Sequence, residues 1–170
     1  MKIVFLHGLK SVTNCDKVQW LREQGHEVLN PKMVYTDEYM YEDVLYEIKE
    51  FKPDLIIDSS MGGYFAYEIC RELDIPGLLF NPALHSRPFE PVVTDIDKLH
   101  IPMMHVVFGK NDKVIDPKLT QEYLHDNYTN YYISEYDFGH RVPVNILENV
   151  IDKSKDAFIT DYFITDYPSA

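Results

Sequence analysis

The sequence predicts an α/β protein, a three-layer sandwich in which a mainly parallel sheet of six strands lies between helices. Three observations carry this expectation. Short apolar runs alternate with segments whose apolar residues recur at helical spacing, from Ile3 to Ile151. Wholly apolar runs are what strands covered on both faces look like. Finally, His7, Ser60, Asn81, Asp112 and His140 each follow such a run directly or closely. That places them together on the carboxyl rim of the sheet, where ligands bind in folds of this class.

Ile3 to Leu6 is a buried strand, and Gly8 permits a sharp exit from it. Asn14 to Gln24 carries Val18 and Leu21 on one face, with Trp20 close by, and Gly25 stops it, so it reads as a helix. His26 to Asn30 is a weaker strand closed by Pro31. After a polar loop, Met40, Val44, Ile48 and Phe51 set a helical period, with acids at its front and Lys49 and Lys52 at its end, as the helix dipole favours. Leu55, Ile56 and Ile57 form the next strand, and Phe65, Ala66, Ile69, Cys70 and Leu73 share one helical face after it. Leu78 to Phe80 is a further strand, ending at Asn81-Pro82-Ala83. Leu84 to Pro102 has no clean period and reads as a long loop with a short helix after Thr94. Met103 to Phe108 is a strand, and Asp116-Pro117 caps and opens a helix. Tyr131 to Tyr136 is the last strand, and Asn145 to about Phe158 the closing helix, built on Ile146, Leu147, Val150 and Ile151. Residues 159–170 are expected to be a flexible tail, beginning in the immediate repeat of Phe-Ile-Thr-Asp-Tyr. Its five-residue period matches no regular element. No linker suggests more than one domain over residues 1–170.

Composition narrows the function classes. An apolar content of 45% suits a globular chain, and 28 acids against 16 bases give a formal charge of −12. Such a surface repels phosphate backbones and anionic headgroups, so neither nucleic acid nor membrane is an expected partner. Cys15 and Cys70 belong to no metal-type cluster and are expected to be free thiols; no metal or cofactor is expected. The chain enters a strand at once and holds no apolar stretch long enough to span a bilayer, so the cytoplasm is the expected location. Composition leaves monomer and homodimer both open.

The stretch Asp54 to Phe65 carries the chemistry. A strand, a run of small residues and a helix follow one another, with a serine at the turn. A nucleophile elbow needs this context, since a strained turn lifts the serine hydroxyl off the sheet. Ser60 has Gly62 two residues on, whereas Ser59 would have Met61 there, which is too large for so close a crossing. Two residues before Ser60 stands Asp58, where the elbow pattern has glycine; its carboxylate is expected to crowd the turn and to lie near the site. The order Ser60, Asp112, His140 then supplies nucleophile, orienting acid and base from three different strand ends. The backbone N–H groups of Met61 and Leu9 are the expected oxyanion donors. His7, Gly8, Asn81, Pro82 and Leu84 are the expected substrate-binding residues, with Phe89 and Val92 on a further wall and Lys32 to Tyr39 on another.

These motifs resemble the α/β-hydrolases, and within them the YqiA-like family of small, lidless esterases. The matching residues are Phe5-Leu6-His7-Gly8, Ser59-Ser60-Met61-Gly62-Gly63, Asn81-Pro82-Ala83, Gly109 with Asp112 and Val114, and Gly139-His140. The resemblance implies a serine carboxylesterase preferring short acyl chains on a small-molecule ester. It leaves the natural substrate unspecified, and Asp58 departs from the family's usual glycine.

Each residue also has a structural reading. Ser60 can be a small turn residue, Asp112 a turn acid, and six other histidines compete with His140. Asp116 reads better as a helix cap, Asp137 as a loop acid and His7 as a residue that fixes loop geometry. Three functions therefore stand open: a serine esterase, a thioesterase or amidase with the same residues, and a non-catalytic binding protein on a hydrolase fold.

Overall fold

The computed structural model describes residues 1–91 and 100–163, with side chains described to residue 154. Six strands form one sheet in the order β2-β1-β3-β4-β5-β6. They are β1 (Lys2–Leu6), β2 (Glu27–Leu29), β3 (Leu55–Ser59), β4 (Gly77–Phe80), β5 (Met104–Gly109) and β6 (Tyr131–Tyr136). Every neighbouring pair is parallel. Five helices connect or follow them: α1 (Asp16–Glu23), α2 (Met40–Phe51), α3 (Met61–Leu73), α4 (Pro117–Asn127) and α5 (Val144–Phe163).

Side-chain alternation along the strands divides the interior into two cores. Val4, Leu6, Ile56, Leu79 and Val106 face one side, where they meet Val44 and Ile48 of α2, Phe65 and Ile69 of α3, and Leu124 of α4. Ile3, Phe5, Ile57, Leu78 and Val107 face the other, against Val18 and Leu21 of α1 and Leu147 and Val150 of α5. The split follows from the path of the chain. It leaves β1 toward β2, then reverses and adds β3 to β6 in the opposite direction. With crossovers of one hand, that reversal puts α1 and the later crossover helices on opposite faces. It also opens a crevice between the carboxyl ends of β1 and β3, the switch point at which such sheets bind ligands.

Most of the expected elements stand within a residue or two of their positions. Gly25 follows α1 with φ +82°, and Asp116 caps α4 by accepting from the Lys118 N–H at 2.9 Å. Both follow from local chain chemistry. Three expectations need correction or fall outside the structure. α5 runs to Phe163, so the first copy of the repeated Phe-Ile-Thr-Asp-Tyr is wholly helix rather than tail. The acids Asp37 and Glu38 precede α2 instead of opening it. The short helix expected after Thr94, the Val92 wall and the end of the tail lie outside the described residues.

Candidate active site

The turn from β3 into α3 holds Ser60 at φ +60° and ψ −117°. A residue other than glycine is costly there, of the order of 1–3 kcal/mol, and persists only where its surroundings fix it. Here three backbone bonds do so. The Ser60 N–H donates to the Phe80 carbonyl at 3.0 Å, while the Ser60 carbonyl accepts from Gly63 at 3.0 Å and Ala83 at 2.9 Å. The two glycines after the turn are required by close approach. A Cβ on Gly62 would stand 2.8 Å from the Leu6 carbonyl oxygen, and one on Gly63 would stand 2.5 Å from the Pro82 Cβ. Ser60 is therefore held where β1, β3 and β4 converge.

Two further loops meet it. His140 lies beyond β6, and its Nε2 is 2.9 Å from Ser60 Oγ. Its Nδ1 is 2.9 Å from Asp112 Oδ2. An N–H at Nδ1 donating to the carboxylate leaves Nε2 to accept from the serine hydroxyl, which is the tautomer a general base needs. The second Asp112 oxygen accepts from the N–H groups of Val114 at 2.8 Å and Ile115 at 3.1 Å. The Asp112 side chain is 0% exposed and that of His140 is 25% exposed. The acid is thus enclosed and the imidazole reaches the surface.

The acid and histidine loops are locked to each other and to β4. Lys110 and Asn111 donate backbone N–H groups to the Tyr136 and Phe138 carbonyls, both at 3.0 Å. Gly109 fits only without a side chain, since a Cβ would stand 2.6 Å from both the Gly139 and Phe138 oxygens. Asn81, at φ +44°, closes the arrangement. Its Oδ1 accepts from the Gly109 N–H at 2.8 Å, and its Nδ2 donates to the carbonyls of Gly139 and His140 at 3.1 and 3.2 Å.

This revises part of the expected substrate-binding set. Asn81 is 1% exposed with its amide committed to backbone, so it braces both loops rather than lining a pocket. Pro82 packs against Gly63, and Leu84 is buried in the core with 0% exposure. His7 and Gly8 do line a cleft, and Met61 and Leu9 sit at the start of α3 and just after β1. As the first residue of α3, Met61 carries an N–H without an intrahelical acceptor. His7 is itself fixed, Nδ1 donating to the Gly8 carbonyl at 3.0 Å while Nε2 accepts from the Met33 N–H at 3.4 Å.

Asp58 is placed differently from the expectation. It shares strand parity with Ile56, so its carboxyl points under α3 and away from the cleft, with Oδ1 2.6 Å from where a Gly63 Cβ would stand. Neither oxygen has a hydrogen-bond partner, and the residue is fully buried. Burial pushes its pKa well above the usual carboxylate range, opposed only by the nearby Phe80 backbone. An unpaired buried carboxylate is too costly to keep, so the group is held as the neutral acid.

The competing residues have other partners. His105 is buried between the Ser154 and Ser134 hydroxyls, and burial lowers its pKa to about 4. His85 bonds Thr120, His125 bonds Asp126, and Asp137 accepts from Asn111. Cys15 is half-buried and Cys70 buried, both as free thiols. Among the described residues, no group of three or more His, Cys, Asp or Glu side chains is arranged to hold a metal ion, and no helix is long and apolar enough to cross a membrane.

Sequence reasoning missed the basic character of the cleft beside Ser60. Its volume is about 440 Å³, and Lys10, Lys17 and Arg141 line it along with Gly8 and Ser59. The signal is in the sequence: Lys10 follows β1, Lys17 opens α1 and Arg141 directly follows His140. It was masked by the acidic balance of the whole chain.

Comparison with solved structures defines the class as the α/β-hydrolase fold. An α/β-hydrolase enzyme, MGS-MChE2, from the metagenome of sediments of the Mar Chica lagoon in Morocco superposes with a TM-score of 0.70 at 17% identity, covering 95% of this chain and 92% of that one. Est1E from Butyrivibrio proteoclasticus gives 0.69 at 13% identity, covering 93% and 88%. The Paleococcus ferrophilus monoacylglycerol lipase gives 0.65 at 12% identity, covering 93% of each chain. More narrowly, the chain belongs to the uncharacterised protein family UPF0227, which it matches over residues 2–104. The match takes in Ser60 and ends before Asp112 and His140, which rest on the geometry above. No curated protein matches the chain.

Proposed function

We propose that the protein is a serine esterase that cleaves small carboxylic esters through an acyl-enzyme on Ser60, and that it works in the cytoplasm. The observation that carries this reading is the unbroken relay from Ser60 Oγ to His140 Nε2 and from His140 Nδ1 to Asp112, at a turn held in strained geometry. Ser60 Oγ attacks the ester carbonyl as His140 Nε2 takes its proton. Asp112 stabilises the resulting imidazolium without itself taking the proton. The Met61 and Leu9 N–H groups receive the oxyanion, one such donor being worth about 3 kcal/mol of barrier. Collapse expels the alkoxide, which takes the proton from His140, and water releases the acid by the same steps.

Thioester or amide cleavage would use the same atoms, but an amide asks His140 to protonate a poorer leaving group. A carboxylate pointing into the elbow would oppose an oxyanion and favour the binding-protein reading; a neutral acid beneath α3 gives that reading no support. The names of the structural neighbours favour ester substrates, and the family resemblance implies short acyl chains. Matched ester, thioester and amide substrates sharing a butyryl group test the proposal. Ester turnover is expected to be the fastest and to vanish in Ser60→Ala; amide turnover equal to or above ester turnover would overturn it.

A further inference from the structure

The chain carries 28 acids against 16 bases, yet the cleft beside Ser60 reverses that balance. Three cations, Lys10, Lys17 and Arg141, line it against one carboxylate, Asp16. Asp16 is already engaged. Its Oδ1 accepts from the Lys17 Nζ at 3.1 Å and from the Lys17 backbone N–H at 2.9 Å. Lys17 also donates to the Val142 carbonyl at 3.3 Å, tying the amino end of α1 to the β6–α5 loop. That leaves Lys10 and Arg141 exposed, with no ion-pair partner among the described residues. They come from different loops, Lys10 from the one after β1 and Arg141 from the one after β6.

The position of the cleft makes this charge relevant to the reaction. Gly8 and Ser59 form part of its lining, and the Cβ position of Gly8 is 3.7 Å from Ser60 Oγ. Arg141 directly follows His140 in the chain. The amino end of α1 also opens here, and its first residues have no side-chain cap from Cys15. Apart from the Lys17 N–H, which Asp16 takes, the first N–H groups of the helix add to the positive potential. At about 440 Å³ the cleft falls in the size range of small-molecule sites.

We propose that the substrate is a small ester that also carries an anionic group, held between Lys10 and Arg141 while its carbonyl lies at Ser60. The proposal rests on the serine esterase reading and specifies its substrate class. The planar fork of Arg141 suits a carboxylate, and Lys10 adds a point charge from the β1–α1 loop. The anion can belong to the acyl half or the alcohol half of the ester, and both place a negative charge in the same cleft.

Two substrate pairs separate these sources. Mono-4-nitrophenyl glutarate against 4-nitrophenyl 5-methylhexanoate tests the acyl half, and 4-carboxyphenyl acetate against phenyl acetate tests the alcohol half. In at least one pair, the charged member is expected to show a kcat/KM about tenfold higher or more at low ionic strength, and the preference should shrink as salt is added. The double variant Lys10→Ala with Arg141→Ala should bring the ratio close to one, whereas Arg141→Lys should keep part of it. Because each result is a ratio within one preparation, partial misfolding cancels. Ser60-dependent turnover with neutral substrates preferred in both pairs, or a preference that survives the double variant, would overturn the anion site and leave the esterase standing. If no ester is turned over, the esterase reading falls, and calorimetric titration of the wild type with glutarate decides the anion site separately. Saturable binding lost in the double variant supports the site, and its absence overturns it.

Discussion

Asp112 and Asp58 are two carboxyl groups with fully buried side chains, on loops and strands that meet at the same serine, and they have opposite surroundings. Asp112 is ringed by donors: two backbone N–H groups on one oxygen and His140 Nδ1 on the other. Asp58 has none on either oxygen and packs against Gly63 under α3. Burial by itself therefore says little about what a carboxyl group does. The donors around it decide whether charge is welcome, and strand parity decides which side of the sheet receives it. One acid can hold a charged imidazole in place; the other is a neutral piece of the core.

Removing the donor-ringed charge should have the largest effect. Asp112→Asn keeps the shape but offers His140 a different partner, which favours the wrong ring tautomer. A loss in kcat of about 10⁴ on a short-chain ester is expected, with KM little changed. A loss below about tenfold would show that Asp112 does not orient the base.

Asp58→Asn should act on stability instead. Because the folded pKa is raised, the unfolded chain gives up its proton first as pH climbs above the usual carboxylate range, near 3.8, and the folded state keeps it. The contribution of Asp58 to stability is therefore fully present below that pH and is lost as pH rises toward the folded value. An amide cannot ionise, so the variant should gain on the wild type by about 1.4 kcal/mol per pH unit above that point. Paired thermal melts across pH 4 to 7 would show the difference growing, and a constant difference would mean that Asp58 ionises in the folded chain. Burial of His105, with its pKa lowered to about 4, acts in the opposite sense. It removes stability as pH falls below about 6.5, and it cancels when variant and wild type are subtracted. The smallest effect belongs to the same substitution: ester turnover by Asp58→Asn should stay within about twofold, because the carboxyl does not face the cleft.

The same contrast explains what could be read from the sequence. The elements were legible because each apolar run is short and unmixed, and because Gly25, Asp116-Pro117 and the small residues around Ser60 mark boundaries by local chemistry. The order of Ser60, Asp112 and His140 after separate strands was enough to anticipate that they meet. The side of the sheet that Asp58 takes follows from strand parity: counting in twos from Ile56 puts it on the α3 side. Other features depend on contacts between distant segments. Asn81 looked like a pocket residue, and only the approach of the loops at Gly109 and Gly139 reveals it as a brace. Lys10 and Arg141 are remote in sequence, and net charge hid the local reversal. The end of α5 is hidden in the sequence because a five-residue repeat resembles no element, although its first copy continues the helix.

The central claim is that Ser60 is activated, and intact-mass labelling with a fluorophosphonate tests it most directly. Such a probe reacts with a serine only when base and oxyanion donors act on it. The account predicts one adduct on the wild-type chain and none on Ser60→Ala at equal folded content. A folded wild type that stays unlabelled, or an adduct that survives Ser60→Ala, would contradict it.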